Sequence, residues 1–148
     1  MGPMAPTPHV HAVQIYYEDT DHSGVVYHAN YLKYFERARE HFLGVPELVQ
    51  LWEKEGVGFV VYKCEMTFRE GAVFGDALEI RTRVERESDY RLVFHQDVHR
   101  CADGKRLVEG QVQLVCVNQH KTLVQLPLSV LARLTAAQAA AGPEPEGG

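Results

Sequence analysis

The feature that most constrains the fold is a change of hydrophobic period along the chain. Residues 30–43 carry apolar side chains at the spacing of a helix that lies on a core, namely Tyr31, Tyr34, Phe35, Ala38 and Phe42. From residue 57 onward the period is two, most clearly in 78–85, where apolar or Thr residues alternate with charged ones. One long helix followed by strands in series predicts an α+β fold in which the helix covers one face of an antiparallel sheet.

The same patterns predict the element boundaries. Strands are expected at 10–17, 57–68, 78–85, 92–98 and 107–117, with a loop at 18–27, a short helix at 46–54 and a last helix from about Ser129. Asp103-Gly104 is a turn signal between the last two strands. A single helix cannot cover such a sheet, which also has two free edges, so we expect a homodimer or a larger homo-oligomer.

Length and composition exclude several classes of protein. The 148 residues suit one domain, which we place at 10–134 between a flexible N-terminal tail (1–9) and a C-terminal tail (135–148). A net charge of −5 argues against nucleic-acid binding. The sequence contains no run of about 18 apolar residues, so no transmembrane segment is predicted. Three widely spaced cysteines favour a reducing, cytoplasmic location, and their spacing predicts no metal site.

The most unusual stretch is 16–31, which combines carboxylates, histidines and a glycine immediately before the long helix. The start of a helix offers unpaired N–H groups and a partial positive charge that can hold an oxyanion. A neighbouring carboxylate or imidazole could activate water or attack an acyl group. The alternative is that these residues only form turns and caps. A calcium loop is excluded, because the twelfth position, which needs a bidentate Glu, is Asn30.

The segment 16–43, Y-Y-E-D-T-D-H-S-G-V-V-Y-H-A-N-Y-L-K-Y-F-E-R-A-R-E-H-F-L, strongly resembles the hotdog-fold acyl-CoA thioesterases of the 4-hydroxybenzoyl-CoA thioesterase type. The Tol–Pal-associated, YbgC-like subgroup is the most similar. The resemblance continues through 58–61, 75–80 and 114–117 and covers about 13–134. It implies a hotdog fold, in which a sheet of about five antiparallel strands wraps around one long helix.

The resemblance also implies an activity and a set of site residues. The family's catalytic carboxylate falls on Asp21, as nucleophile or general base, and Tyr17 and His28 lie in the same site. The backbone N–H of His28 would polarise the thioester carbonyl. We expect contacts with substrate from Gly24, Val25, Tyr27 and Asn30. Coenzyme A is part of the substrate, so no cofactor is expected, and the sites would lie at subunit interfaces of a homodimer or homotetramer.

Two alternatives remain open from the sequence. The chain could hydrolyse acyl groups on acyl-carrier protein, or it could be a non-catalytic acyl-binding or assembly module of the same fold. Lys63, Arg69 and Arg91 are available to coenzyme A phosphates, but spacing selects none of them. The remaining charged residues of the long helix are expected to form its outer face, namely Glu36, Arg37, Arg39 and Glu40.

Overall fold

The computed structural model describes residues 8–141 of the chain. Its strands are β1 (His9–Gln14), β2 (Gly58–Phe68), β3 (Ala77–Arg86), β4 (Arg91–Arg100) and β5 (Arg106–Val117). Its α-helices are α1 (Asn30–Leu43), α2 (Val45–Gln50) and α3 (Leu128–Ala141). The rest of the predicted tails, 1–7 and 142–148, lies outside the described residues. No helix within 8–141 is long and apolar enough to cross a membrane.

The five strands form one antiparallel sheet in the order β1-β3-β4-β5-β2. The central pairs are consecutive hairpins, and Gly104 adopts a positive φ of 71° in the turn between β4 and β5, as the Asp-Gly signal predicts. β1 and β2, which flank α1 in the sequence, are the two edges. The predicted α+β architecture is therefore confirmed, with α1 on one face of the sheet.

Helix α1 packs through the apolar stripe that its sequence predicts. Tyr31, Tyr34, Phe35 and Ala38 are all buried against the sheet. The helix lies close to β5, where a Cβ on Gly110 would lie 2.6 Å from Cε2 of Phe35. Only a residue without a side chain leaves room for the phenyl ring, so Gly110 sets how near the helix approaches.

Several element boundaries differ from those predicted. β1 ends at Gln14 rather than at residue 17, because the Tyr16 N–H donates to Oδ2 of Asp19 at 2.7 Å and starts a 3-10 turn, Tyr17–Asp19. The second helix is α2 followed directly by a π-helical turn, Leu51–Glu55. α3 begins one residue before the predicted start and crosses the predicted domain limit at 134/135.

The prediction that Arg39 belongs to the outer face of α1 is wrong. Its side chain is buried, with 7% of the residue exposed, and its Nη1 donates to Oε1 of Gln96 at 3.1 Å. Gln96 in turn donates to the Phe35 carbonyl at 3.0 Å and to Oγ1 of Thr82 at 3.1 Å. This polar network lies in the middle of the core, where partners on both the helix and the sheet satisfy the amide.

A histidine cluster joins β1 to the C-terminal half of α1. The rings of His11 and His41 stack with centroids 4.8 Å apart and an interplanar angle of 18°. Burial is the main cause that lowers the pKa of His9 and of His11, and the positive charge that His41 acquires on protonation lowers both further. Arg133 adds to the effect at His9, and Arg37 adds to it at His11. The folded chain therefore favours neutral imidazoles at this contact.

We expect the free energy of unfolding to decrease as the pH falls below about 6.5, the ordinary histidine pKa. Above that pH the imidazoles are neutral in both states, whereas below it the unfolded chain binds protons that the folded chain still excludes. Urea unfolding between about pH 8 and about pH 5 measures the decrease. His9→Gln/His11→Gln should flatten it, and His120→Gln, on the exposed loop after β5, serves as the control. If the free energy of unfolding of the double variant depended on pH as in the wild type, His9 and His11 would not be the cause of the decrease.

Candidate active site

Residues 16–28, here called the acidic loop, fold back on themselves between β1 and α1. The Asp21 N–H donates to the Val25 carbonyl at 2.8 Å, and Thr20 pairs with Val26 across an isolated antiparallel bridge. Gly24 closes the turn with a φ of 87°, a conformation that favours glycine, and its N–H donates to the Asp21 carbonyl at 3.0 Å. The loop therefore presents Asp21 at the start of a tight turn.

The first aspartate of the Asp-Thr-Asp run is the structural one. Oδ1 of Asp19 accepts a hydrogen bond from the buried Tyr34 hydroxyl at 2.8 Å, while Oδ2 accepts from the Tyr16 N–H. The Asp19 carbonyl accepts from the Tyr27 N–H at 3.0 Å and from Nδ2 of Asn30 at 2.9 Å. Both oxygens of this carboxylate are occupied, so it fixes the loop to α1.

Asp21, the predicted catalytic carboxylate, is bonded on one side only. Its Oδ1 accepts from both the N–H and the Oγ of Ser23, each at 2.8 Å. Within residues 8–141, Oδ2 has no hydrogen-bond donor. The hydrogen bonds from Ser23 hold the pKa of Asp21 below its usual range. The carboxylate is therefore ionised and oriented, and it keeps one oxygen available for chemistry.

His28 lies two residues before the first residue of α1, and the first N–H groups of that helix, those of 30–32, donate to carbonyls of the preceding turn. The His28 carbonyl accepts from the Tyr31 N–H at 3.3 Å, but its own N–H has no acceptor among the described residues. The 14-residue helix directs its partial positive charge at this end. The predicted oxyanion donor is thus placed where a carbonyl oxygen would be stabilised, and its imidazole is exposed to solvent.

Exposed aromatic rings surround the acidic loop. Tyr17 is 79% exposed, and its ring meets Phe74 edge-on with centroids 6.1 Å apart. The His28 ring lies 4.6 Å from the ring of Tyr27 and 6.1 Å from that of Phe68, centroid to centroid. Such an exposed apolar surface is typical of a binding site. The Tyr17 hydroxyl makes no hydrogen bond to Asp21 in the described part of the chain.

The residues predicted to contact substrate differ in how accessible they are to a ligand. Tyr27 is exposed, and Gly24 has open space around it, so both can meet a ligand directly. Val25 is partly covered by its pairing with Val73. The side chain of Asn30 is partly buried and already holds the Asp19 carbonyl. Direct contact of these residues with substrate stays a prediction.

Two groups outside the predicted set of site residues, Ser23 and the segment 69–76, shape the site. Ser23 lies two residues after Asp21, and this spacing is the signal that identifies it as the partner of that carboxylate. The segment 69–76, between β2 and β3, supports the loop through backbone hydrogen bonds, including one from the Val26 N–H to the Ala72 carbonyl at 2.8 Å. Backbone contacts between segments distant in sequence leave no periodic signal.

The three cations considered for coenzyme A phosphates all have partners. Lys63 pairs with Glu65 at 3.0 Å, and Nη2 of Arg69 lies 2.6 Å from Oε1 of Glu109. The guanidinium of Arg91 lies 4.5 Å from the centroid of the Tyr62 ring. The structure therefore singles out none of these cations as an unpaired phosphate ligand.

The different bonding of the two aspartates predicts different costs of removal. Asp19→Ala leaves the buried Tyr34 hydroxyl and the Tyr16 N–H without their acceptor, which should lower the free energy of unfolding by about 1–3 kcal/mol. Asp21→Ala breaks hydrogen bonds with exposed Ser23, leaves no buried group without its partner, and should unfold near the wild-type temperature. Thermal and urea unfolding of both variants measure the difference. Equal destabilisation by the two changes would show that the assignment of structural roles is wrong.

Comparisons with known proteins agree with this architecture. The model of the thioesterase-like superfamily matches residues 16–134. Acyl-CoA thioester hydrolase YbgC of Escherichia coli (O6:H1) is 39% identical over 122 residues, which cover 81% of this chain and 90% of that protein. Acyl-CoA thioesterase YbgC of Haemophilus influenzae is 36% identical over 111 residues, which cover 74% of this chain and 80% of that protein.

The fold is equally well matched among solved structures. A probable thioesterase from Bartonella henselae superposes with a TM-score of 0.69 at 32% identity, covering 82% of this chain and 99% of that one. The predicted hotdog fold is thereby confirmed. The matched region includes the whole acidic loop, α1 and all strands from β2 to β5. The chain belongs to the thioesterase-like superfamily, within its YbgC-like subgroup.

Proposed function

We propose that the chain hydrolyses acyl-CoA thioesters to a free acid and coenzyme A at the acidic loop. The observation that carries the proposal is the asymmetric bonding of Asp21: Ser23 holds one carboxylate oxygen, and the other is open on a loop that leads directly into the α1 N-terminus. The names of the relatives, acyl-CoA thioester hydrolase and acyl-CoA thioesterase, support the substrate class.

The chemistry requires a stabilised oxyanion and an activated oxygen nucleophile. The thioester oxygen accepts from the His28 N–H, where the helix dipole favours the negative charge of the tetrahedral intermediate. Asp21 acts through Oδ2 in one of two ways. It removes a proton from a water that attacks the carbonyl carbon, or it attacks directly and forms an anhydride that water hydrolyses. In both routes the C–S bond breaks, and the thiolate leaves and takes up a proton.

Neighbouring side chains orient the reactants. The exposed imidazole of His28 orients the thioester or returns a proton to the thiolate, and Tyr17 positions the attacking water. Gly24 lets the loop approach the substrate closely, since nothing lies within 4 Å of the position of a Cβ there. Tyr27, Val25 and Asn30 form the remaining contacts. The three cysteines are free, which suits activity in the reducing cytoplasm.

Replacement of Asp21 tests the catalytic assignment. Asp21→Asn keeps the shape of the side chain but removes its negative charge, so kcat should fall by about 10²-fold or more. Hydrolysis is measured by thiol release on acyl-CoAs of increasing chain length, together with the melting temperature. Glu18→Gln is the matched control, because Glu18 is an exposed carboxylate of the same loop. That variant should hydrolyse at the wild-type rate.

Other outcomes distinguish the alternatives. Full activity of Asp21→Asn would show that Asp21 is not catalytic. Wild-type hydrolysis of acyl-carrier-protein thioesters alone would favour a carrier-protein thioesterase, and inactivity on both substrates would favour an acyl-binding module. Single turnover in ¹⁸O-labelled water separates the two routes: a burst of acyl-enzyme or label in the Asp21 carboxylate would support direct attack, and label only in the free acid without a burst would support general-base catalysis.

We infer further that the chain forms a homo-oligomer through β2. This strand is an 11-residue sheet edge with a run of exposed residues along its middle. Val61 is 53% exposed, and the exposed rings of Tyr62 and Phe68 lie on the same strand. A long apolar edge is a template for another strand, and a second copy offers an identical edge for antiparallel pairing. Phe68 also contacts His28, so this interface would adjoin the acidic loop.

A charge on the β2 edge should break the oligomer. Val61→Glu places a carboxylate where the second copy would pack, so light scattering should show a monomer, and kcat should decrease. Val10→Glu is the matched control, because Val10 is 49% exposed on β1, the opposite edge. The control should keep the wild-type mass. Dissociation caused by Val10→Glu alone would show that the interface lies at β1. A monomeric wild-type protein would show that no oligomer forms.

A further inference from the structure

Segment 69–76, here called the bracing segment, is bonded to the chain on both sides of the turn that presents Asp21. Before the acidic loop, the Ile15 N–H donates to the Asp76 carbonyl at 2.9 Å, and the Gly75 N–H donates back to the Ile15 carbonyl at 3.0 Å. Within the loop, Val25 pairs with Val73 across an isolated antiparallel bridge. The turn that presents Asp21 lies between these anchors, so its position depends on the bracing segment.

The bracing segment contains no helix and no strand of the sheet, and its shape is fixed by side chains as well as by backbone hydrogen bonds. Asp76 stabilises the segment by a contact inside it, because its Oδ2 accepts a hydrogen bond from the Val73 N–H at 3.0 Å. The same oxygen lies 3.3 Å from Nε of Arg100, at the end of β4. Arg100 also reaches the Gly71 carbonyl with Nη2, at 3.4 Å, and Oε1 of Glu70 at 3.5 Å. One guanidinium thus holds the segment at three points.

The surroundings of Arg100 make this arrangement rigid. Only 16% of its side chain is exposed, and its Nη1 is held by Oδ2 of Asp103 at 2.9 Å. The planar fork of an arginine with several charged acceptors has little freedom to rotate. Arg100 therefore connects the β4–β5 turn to the bracing segment, and through it to the acidic loop.

A second contact shows how closely the bracing segment and the loop fit. A Cβ built on Gly71 would lie 2.9 Å from Cβ of Val25, inside van der Waals contact. A displacement of the bracing segment toward the loop would therefore push Val25, whose carbonyl accepts the hydrogen bond from the Asp21 N–H. The path from Arg100 to Asp21 consists of contacts at each step.

We propose that Arg100 is a positioning residue for thioester hydrolysis, which fixes the bracing segment and thereby the acidic loop that carries Asp21. The inference rests on the proposed function, because it assumes that Asp21 acts on the substrate. Arg100 itself acts only through Asp76, Gly71 and Glu70. Displacement of a reacting group by about 1 Å can cost as much as 10²-fold in rate, so loss of the guanidinium should reduce kcat more than it changes KM.

The experiment compares Arg100→Met with Arg86→Met as its matched control. Arg86 also forms an ion pair three residues along the chain, with Asp89 at 2.8 Å, but it lies at the far end of β3. Arg100→Met should lower kcat about tenfold or more and leave KM within about threefold, whereas Arg86→Met should keep both constants. Arg100→Lys retains a positive charge beside Asp76, so its kcat should lie between those of Arg100→Met and the wild type. An Arg100→Met enzyme with wild-type kcat, or an equal loss in Arg86→Met, would overturn the proposal.

Hydrogen exchange provides a readout that does not depend on activity. The amides of 21–27 should exchange faster in Arg100→Met, while those of β3 and β5 keep their protection; unchanged exchange in 21–27 would overturn the proposal. Should Arg100→Met fail to fold, Gly71→Ala displaces Val25 directly and should give the same loss of kcat. Asp21→Asn is assayed in parallel. If it is fully active while Arg100→Met speeds exchange in 21–27, the catalytic assignment fails and the bracing role of Arg100 stands.

Discussion

The geometry of the site depends on two buried tyrosines in the first turns of α1. The Tyr34 hydroxyl donates to Oδ1 of Asp19 at 2.8 Å, and the Tyr31 hydroxyl accepts from the Ala72 N–H at 3.2 Å. Their rings meet edge-on with centroids 5.8 Å apart, and burial raises the pKa of both phenols, which keeps them protonated. The helix is thereby bonded to the acidic loop on one side and to the bracing segment on the other. Neither the acidic loop nor the bracing segment contains an α-helix or a strand of the sheet, so the start of α1 is the regular element to which both are bonded.

This constraint explains why two aspartates separated by one residue have different roles. Asp19 faces the helix, where its carboxylate accepts from a buried hydroxyl and from a backbone N–H. Asp21 lies after the bridge between Thr20 and Val26, and its Oδ1 is held by Ser23, two residues along the chain. Fixing the first carboxylate therefore orients the second without covering it. An ionised group that is held on one side and open on the other suits a nucleophile or a general base.

The sequence predicts those parts of the fold that depend on local periodicity. The apolar stripe of α1, the alternation in β3 and the Asp-Gly turn before β5 are all read from neighbouring residues, and the structure confirms them. The burial of Arg39 could not be predicted from neighbouring residues, because its partner Gln96 is 57 positions away in the sequence. The bracing segment has the same difficulty: its role lies in backbone hydrogen bonds to a distant loop. For the site, the resemblance selected Asp21, whereas residue types alone could not separate it from Asp19.

The exposure of the site in a single chain has a physical consequence. His28 and the ring of Tyr17 are exposed and Asp21 is partly exposed, and in water a carboxylate and a helix terminus stabilise charge only weakly. Hydrolysis at a useful rate therefore requires the loop to be covered, because excluding water strengthens each of these interactions. The acyl group covers part of it, and a second copy paired along β2 would bring further apolar surface to Phe68, next to His28. Such a pairing would couple oligomerisation to catalysis through the dielectric environment of the thioester, without the partner having to contribute a reacting group.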